Sequence, residues 1–250
     1  MNIVVEKRRF NAKNIAIIGL LGALTAVLGM TPIGFIPIGP TRATIMHIPV
    51  IVGSILYGPL VGGFVGLIFG LFSIINALMN MTVVSFPFLN PIVSVIPRVL
   101  IGIGSYYVFT FVKSIGSKNF KWLLGLIYLG VIGYLLHGAY ISYLGHTWFN
   151  LIVNLVLVGL TAFISYFSFK RETESLEVVV AALVGTLINT VGVLSSIYFL
   201  YGERFVAALG KDIETARKVI LGIAVVNGIP ESIIAIILVT SIYNAVKRRK

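Results

Sequence analysis

Long apolar stretches alternate along this chain with short polar or Gly/Pro-rich breaks. A bilayer crossing takes about 20 predominantly apolar residues. On that measure the sequence predicts spans over 14–30, 60–79, 92–112, 178–200 and 215–246, with a shorter apolar segment at 44–57. Thr31-Pro32 ends the first, and a Gly/Pro-rich loop over 31–43 follows it. Tyr57-Gly58-Pro59 marks a tight turn. The loop over 80–91 is uncharged and turn-rich, and Lys113, Lys118 and Lys121 make a basic linker. The stretch 122–169 is almost wholly apolar, which fits two helices joined at Leu144-Gly145-His146. Lys170 and Arg171, an acidic cluster at Glu172, Glu174 and Glu177, and a mixed-charge segment over 201–214 flank the seventh span. The predicted fold is all-α, a polytopic membrane helix bundle of about eight helices. A six-helix arrangement, with 122–169 as one long span and a re-entrant piece, keeps the same parity but leaves more apolar sequence unplaced.

Within the spans, small residues fall at helical spacing. Gly58, Gly62, Gly66 and Gly70 recur every fourth residue, which predicts a continuous small ridge along the third span. Membrane helices have no hydrophobic force between them, so close backbone approach through such residues counts. The expected use is packing within the chain. The first span carries Ala12/Ala16, Gly19/Ala23 and Gly22/Ala26, which suit either internal packing or a partner subunit.

Charge adds the topology. The formal net charge is +11, yet only 11% of residues are charged and 58% are hydrophobic, against about 25% charged in soluble domains. The basic residues sit mainly at the ends and in connecting loops, so they read as topology signals and not as a nucleic-acid patch. With eight crossings the termini share a side. That side carries 13 Lys/Arg and the other five: Arg42, Arg204, Lys211, Arg217 and Lys218. Both termini are therefore expected in the cytoplasm. Lys7, Arg8, Arg9 and Lys13 precede the first apolar run with no small-x-small site closing it, so that run is expected to stay as a span. Cysteine is absent, which removes disulfides and thiolate metal sites.

The candidate chemistry lies in the membrane. Arg98 and Glu231 are the two full charges inside the spans. A charge in hydrocarbon costs roughly 2.5–3.5 kcal/mol on insertion scales, so such residues pair, line a cavity or bind something. At 1.5 Å per residue, Arg98 falls roughly 10 Å below the outer end of its helix, and Glu231 roughly 24 Å along the last. Asn227 sits one turn above Glu231, and Asn189 and Thr190 fall near the middle of the seventh span. His47 lies near the outer end of the short second segment, and Asn76 and Asn80 are four apart at the outer end of the third. Five helices thus bring polar side chains to the outward half, as a ligand cavity open to the outside would require. Pro230, just before Glu231, permits a kink there. Each residue has a plainer use. Arg98 has the reach to snorkel to headgroups, Glu231 suits a hydrogen bond inside the bundle, and Asn189 and Asn227 suit interhelical bonding. Asn150 and Asn154 read as interhelical hydrogen bonders, and His137 and His146 as satisfied or interfacial residues.

Catalytic and nucleotide motifs are missing from the sequence: no Walker A loop, no Gly-x-Ser-x-Gly, no His-Glu-x-x-His and no carboxylate cluster. The sequence reads as that of a non-enzyme without cofactor or metal.

Several segments together resemble the substrate-binding S component of energy-coupling factor (ECF) vitamin transporters. They are Thr44-Ile-Met-His47-Ile-Pro49 with Gly53, Leu56-Tyr-Gly58-Pro59-Leu-Val-Gly62, Phe69-Gly70-Leu, Val95-Ile-Pro97-Arg98-Val-Leu-Ile-Gly102 and Gly185-Thr-Leu-Ile-Asn189-Thr190. The resemblance covers 14–113 and 178–245. It implies a six-helix core, a vitamin held near the outer face beneath the loops 31–43 and 80–91, and docking through the first helix onto a membrane T component carrying two ATPases. Ala12, Ala16, Gly19, Gly22, Ala23 and Ala26 would form the docking face, and ATP hydrolysis would belong to the partners. The stretch 122–169 departs from the six-helix pattern and reads as an inserted transmembrane hairpin. The segments around His47 and Pro97-Arg98 are most similar to pantothenate-type members. A buried Arg98 suits a carboxylate, and Glu231, Asn227, Asn189 and His47 suit hydroxyl and amide groups. An S component for folate or riboflavin, a stand-alone proton-coupled carrier using Glu231, and a structural subunit remain alternatives.

Overall fold

The computed structural model describes residues 11–31, 34–38, 41–115, 121–170 and 176–247. The expected helical bundle is present. In chain order the helices are α1 (Ala12–Met30), α2 (Ile48–Tyr57), α3 (Pro59–Met79), α4 (Pro91–Ser94), α5 (Ile96–Ile115), α6 (Lys121–Leu144), α7 (Trp148–Lys170), α8 (Leu176–Ala208) and α9 (Ala216–Lys247). Among the described residues six segments are long and apolar enough to cross a membrane: α1, α3, α4 with α5, the Gly125–Leu144 part of α6, α8 and α9. At 33 and 32 residues, α8 and α9 are roughly 50 Å long, well beyond a hydrocarbon core of about 30 Å. This is a multi-pass membrane protein.

The second apolar segment is shorter than a crossing. α2 has ten residues, about 15 Å of helix, because the chain before it is not helical. Phe35–Ile38 (β1) and Thr41–Thr44 (β2) pair antiparallel, with Phe35 opposite Thr44 and Ile38 opposite Thr41. From sequence alone this segment reads as a Gly/Pro-rich loop. Its β-branched and aromatic residues favour a ribbon, and Pro37 is tolerated because both strands of a two-stranded sheet are edges. What α2 lacks in length it recovers in burial: every residue from Ile48 to Ile55 is buried. It forms the axis of the core, packed by α1, α3, α5, α8 and α9.

The glycine ridge is used inside the chain, as expected. Gly58 takes φ 105°, a left-handed value open to glycine, and turns α2 directly into α3. A Cβ on Gly62 would lie 2.9 Å from Gly102 O, one on Gly66 2.7 Å from Arg98 C, and one on Gly70 2.6 Å from Val95 Cα. α3 and α5 therefore touch backbone to backbone for three turns. Ser54 of α2 donates to Gly102 O at the same crossing. This seam sets where the start of α5 lies.

α6 and α7 pack mainly on each other and touch the other helices sparingly. Asn154 is buried, but its Nδ2 donates to Asn150 O within α7 at 2.8 Å. Its amide bonds along its own helix, contrary to the interhelical bond expected, and its Oδ1 abuts Gly138 of α6. Glu177, which the sequence reading placed in a connecting loop, sits buried in the first turn of α8, where the helix dipole favours an acid.

Candidate functional site

Between α1, α3, α5, α8 and α9, beneath the end of β2, lies a cavity of about 630 Å³. Its volume falls in the usual range of small-molecule sites, about 300–1,000 Å³. Arg98, Asn189, Thr190, Asn227, Glu231, Asn76 and Asn80 all line it. Their convergence follows from the seam and the helix register. Gly66 and Gly70 bring the Val95–Arg98 backbone against α3. Asn227 and Glu231 are one turn apart on α9, and Asn189 and Thr190 face them from α8.

Arg98 is 5% exposed. Its guanidinium lies 5.3 Å from the Phe69 ring centroid and 5.8 Å from that of Phe88, within cation–π range. Nη1 donates to Val93 O at 2.6 Å, while Nε has no partner. The side chain is turned into the protein, so it does not snorkel. A buried guanidinium with an unused donor is costly unless something else accepts from it.

Glu231, 6% exposed, has different partners. Oε1 accepts from Thr44 N at 3.1 Å and from Thr44 Oγ1 at 2.7 Å. Oε2 accepts from Thr190 Oγ1 at 3.3 Å. Arg98 and Glu231 thus form no ion pair with each other. Asn189 is buried with Oδ1 unpartnered, so the cavity wall holds an unused donor on Arg98 and an unused acceptor on Asn189. Asn80 Nδ2 donates to Asn76 Oδ1 at 2.7 Å.

His47 stands behind the wall and does not line the cavity. It is fully buried, with Nε2 3.0 Å from Thr186 Oγ1. The Thr186 hydroxyl is also bonded to Ala182 O, and Nδ1 of His47 has no partner. The wall also contains residues that sequence reasoning passed over: Thr44, Phe69, Phe72, Ser73 and Phe88. Phe69, Phe72, Ser73, Asn76 and Asn80 share one face of α3. Extending the Asn76–Asn80 spacing one and two turns back was the signal available. Thr44 heads one of the segments that carry the family resemblance, but nothing in the sequence marked it as a wall residue.

The loop over 80–90 closes one end of the cavity. Asn90 Nδ2 donates to Tyr201 OH at 3.0 Å, Phe86 meets Tyr201 edge to face at 5.5 Å, and Arg204 stacks over Phe86 at 4.4 Å. Ser94 Oγ donates to Phe88 O at 2.5 Å and so holds Phe88 over Arg98. A separate hydrophobic cluster of Val93, Val193, Ile197, Phe205, Val206 and Ile220 supports this end. Among the described residues no group of His, Asp and Glu is placed to hold a metal.

The small residues of α1 divide. Ala12, Ala16, Gly19 and Ala23 are exposed along one face, with nothing within 4 Å of a Cβ at Gly19. Gly22 is buried beneath Ile68 of α3, and Ala26 is buried on the cavity wall. The face expected for docking therefore loses these two members, since both point into the bundle.

Residues 13–147 and 122–243 match the family model "ECF transporter, substrate-specific component". The chain is 28% identical over 246 residues to the pantothenic acid transporter PanT of Lactococcus lactis subsp. cremoris, covering 97% of this chain and 98% of that protein. It is 31% identical over 193 residues to the pantothenate transporter PanT of Leuconostoc mesenteroides subsp. mesenteroides, covering 76% of this chain and 84% of that protein.

Proposed function

The chain belongs to the family of ECF transporter substrate-specific components, and we propose that it is the subunit that captures pantothenate from outside the cell for an ATP-driven importer. Pantothenate carries a carboxylate at one end, an amide in the middle and two hydroxyls at the other. The observation that carries this reading is Arg98, buried between two phenylalanine rings with Nε unused. A carboxylate is the acceptor such a group recognises best. Asn189 and Asn227, elsewhere on the wall, suit the amide and hydroxyls, with Asn76 and Asn80 at the mouth. Riboflavin offers no carboxylate to Arg98, and folate calls for more aromatic wall.

The remaining parts of the reading follow from the same family. ATP hydrolysis falls to two ATPase partners, and a membrane T component docks on Ala12, Ala16, Gly19 and Ala23. The segments 14–113 and 178–246 form the S-component core, with 122–169 as an added hairpin. With the short α2 counted as a return pass, eight passes keep the parity, and the excess of Lys/Arg on one side supports both termini in the cytoplasm of a bacterial cell.

A thermal-shift screen of the purified chain against the water-soluble vitamins tests the proposal. Pantothenate should raise the melting temperature in a concentration-dependent way, since a ligand bound only by the folded state stabilises it by mass action. No stabilisation by any vitamin removes the substrate-binding reading; stabilisation by another vitamin alone reassigns the substrate.

A further inference from the structure

Glu231 and Arg98 are the two ionisable residues lining the cavity, and the Glu231 carboxyl is already engaged by the protein. Oε1 receives both the amide and the hydroxyl of Thr44, and Oε2 receives the Thr190 hydroxyl. Thr44 is the last residue of β2 and itself lines the cavity. It pairs with Phe35 at the open end of the hairpin, and Ile45 N donates back to Gly34 O at 3.0 Å. Three residues on, His47 is held to Thr186. The base of the hairpin is thus tied at two points, to α9 through Glu231 and to α8 through His47. Glu231 follows Pro230, the proline inside α9.

We infer that Glu231 is a positioning residue: it acts through Thr44 to anchor the β1–β2 hairpin at the cavity, and so sets how long a ligand is retained. This rests on the reading of the cavity as the substrate site, and it gives Glu231 a role other than direct ligand contact. Two hydrogen bonds from one backbone–side-chain pair to one carboxyl oxygen make a rigid clasp. Losing the Thr44 hydroxyl should therefore speed ligand release by roughly tenfold or more.

The experiment uses the full chain in nanodiscs. Amide exchange over 34–46 is followed without ligand, and radiolabelled pantothenate release is followed with it, for wild type, Thr44→Val, Thr44→Ser, Glu231→Leu and the Thr44→Val/Glu231→Leu double variant. The inference expects faster exchange at the Thr44 amide in Glu231→Leu, and faster release in both Thr44→Val and Glu231→Leu. Thr44→Ser should rescue release, and the double variant should release no faster than the worse single, because both changes break one clasp. Unchanged exchange in Glu231→Leu overturns the anchor. Additive effects on release overturn it too, because they place Glu231 on the ligand independently of Thr44. Should the wild type bind no pantothenate, the substrate reading fails, and the exchange data alone still decide whether Glu231 holds the hairpin. If Glu231→Leu does not fold, Thr44→Val against Thr44→Ser decides: equal release rates from these two overturn the inference.

Discussion

Two runs of small residues look alike in this sequence and end in opposite places. On α3, Gly62, Gly66 and Gly70 press against the backbone of α5 and the turn before it until no Cβ fits between them. On α1, Ala12, Ala16, Gly19 and Ala23 recur at similar spacing and are exposed. A small stripe therefore says that something comes close, and not what. The α3 stripe found its partner 25 to 40 residues further along the same chain, from Gly70 on Val95 to Gly62 on Gly102. The α1 stripe is exposed among the described residues, which fits an interface completed by another subunit. Within α1 the division falls between two faces of the helix, since Gly22 lies under Ile68 while Gly19 and Ala23 are exposed.

Substitutions that fill each stripe test the contrast. The largest effect belongs to the seam. Gly102→Leu should prevent recovery of a monodisperse folded protein. Gly66→Ala should cost about 3 kcal/mol or more, because the obstacle is the Arg98 backbone, which cannot give as a side chain does. Thermal melts in detergent read both, and a normal melt for Gly66→Ala would mean the seam is looser than it looks. The next effect falls on the group the seam positions. Arg98→Gln should weaken pantothenate binding by about 2–5 kcal/mol, the usual cost of truncating one partner of a buried charge pair, without lowering the melting temperature of the empty protein. Titration calorimetry checks this, and retained affinity would take Arg98 out of the site. Gly22→Ala should be mild, about 1 kcal/mol, since the far end of Ile68 lies 2.5 Å away and can move. Gly19→Leu should be smallest on the isolated chain, within about 0.5 kcal/mol and with vitamin affinity kept, yet cellular uptake should fall at least tenfold. Uptake that persists would show that the open stripe is not a docking face.

Much of the site was legible because polar groups are rare and costly in hydrocarbon, so they announce themselves. Depth arithmetic brought Arg98, Asn189, Thr190, Asn227 and Glu231 to one region, and the structure places all five on one cavity wall. What failed was direction and company. His47 lies near the same level but turns away to Thr186. Thr44 is an ordinary loop threonine in sequence, and only folding back of the hairpin puts it on Glu231. The short apolar run before Tyr57 looked like one more crossing, and became a fully buried half-length helix because the residues ahead of it pair as strands.

By itself the sequence determined the membrane class, the positions of the long helices, the α6–α7 hairpin and the few residues able to carry chemistry. These depend on apolar length, helical spacing and the cost of charge in lipid, all local to a segment. The tertiary structure alone decided which small stripe is closed and which is open, that Arg98 keeps a free donor while Glu231 spends its carboxylate on Thr44, and that Arg98 and Glu231 never meet. Those outcomes depend on the rotation and offset of helices far apart in the chain, set by backbone contacts such as Gly66 on Arg98 and Gly102 on Gly62, and no local pattern encodes them.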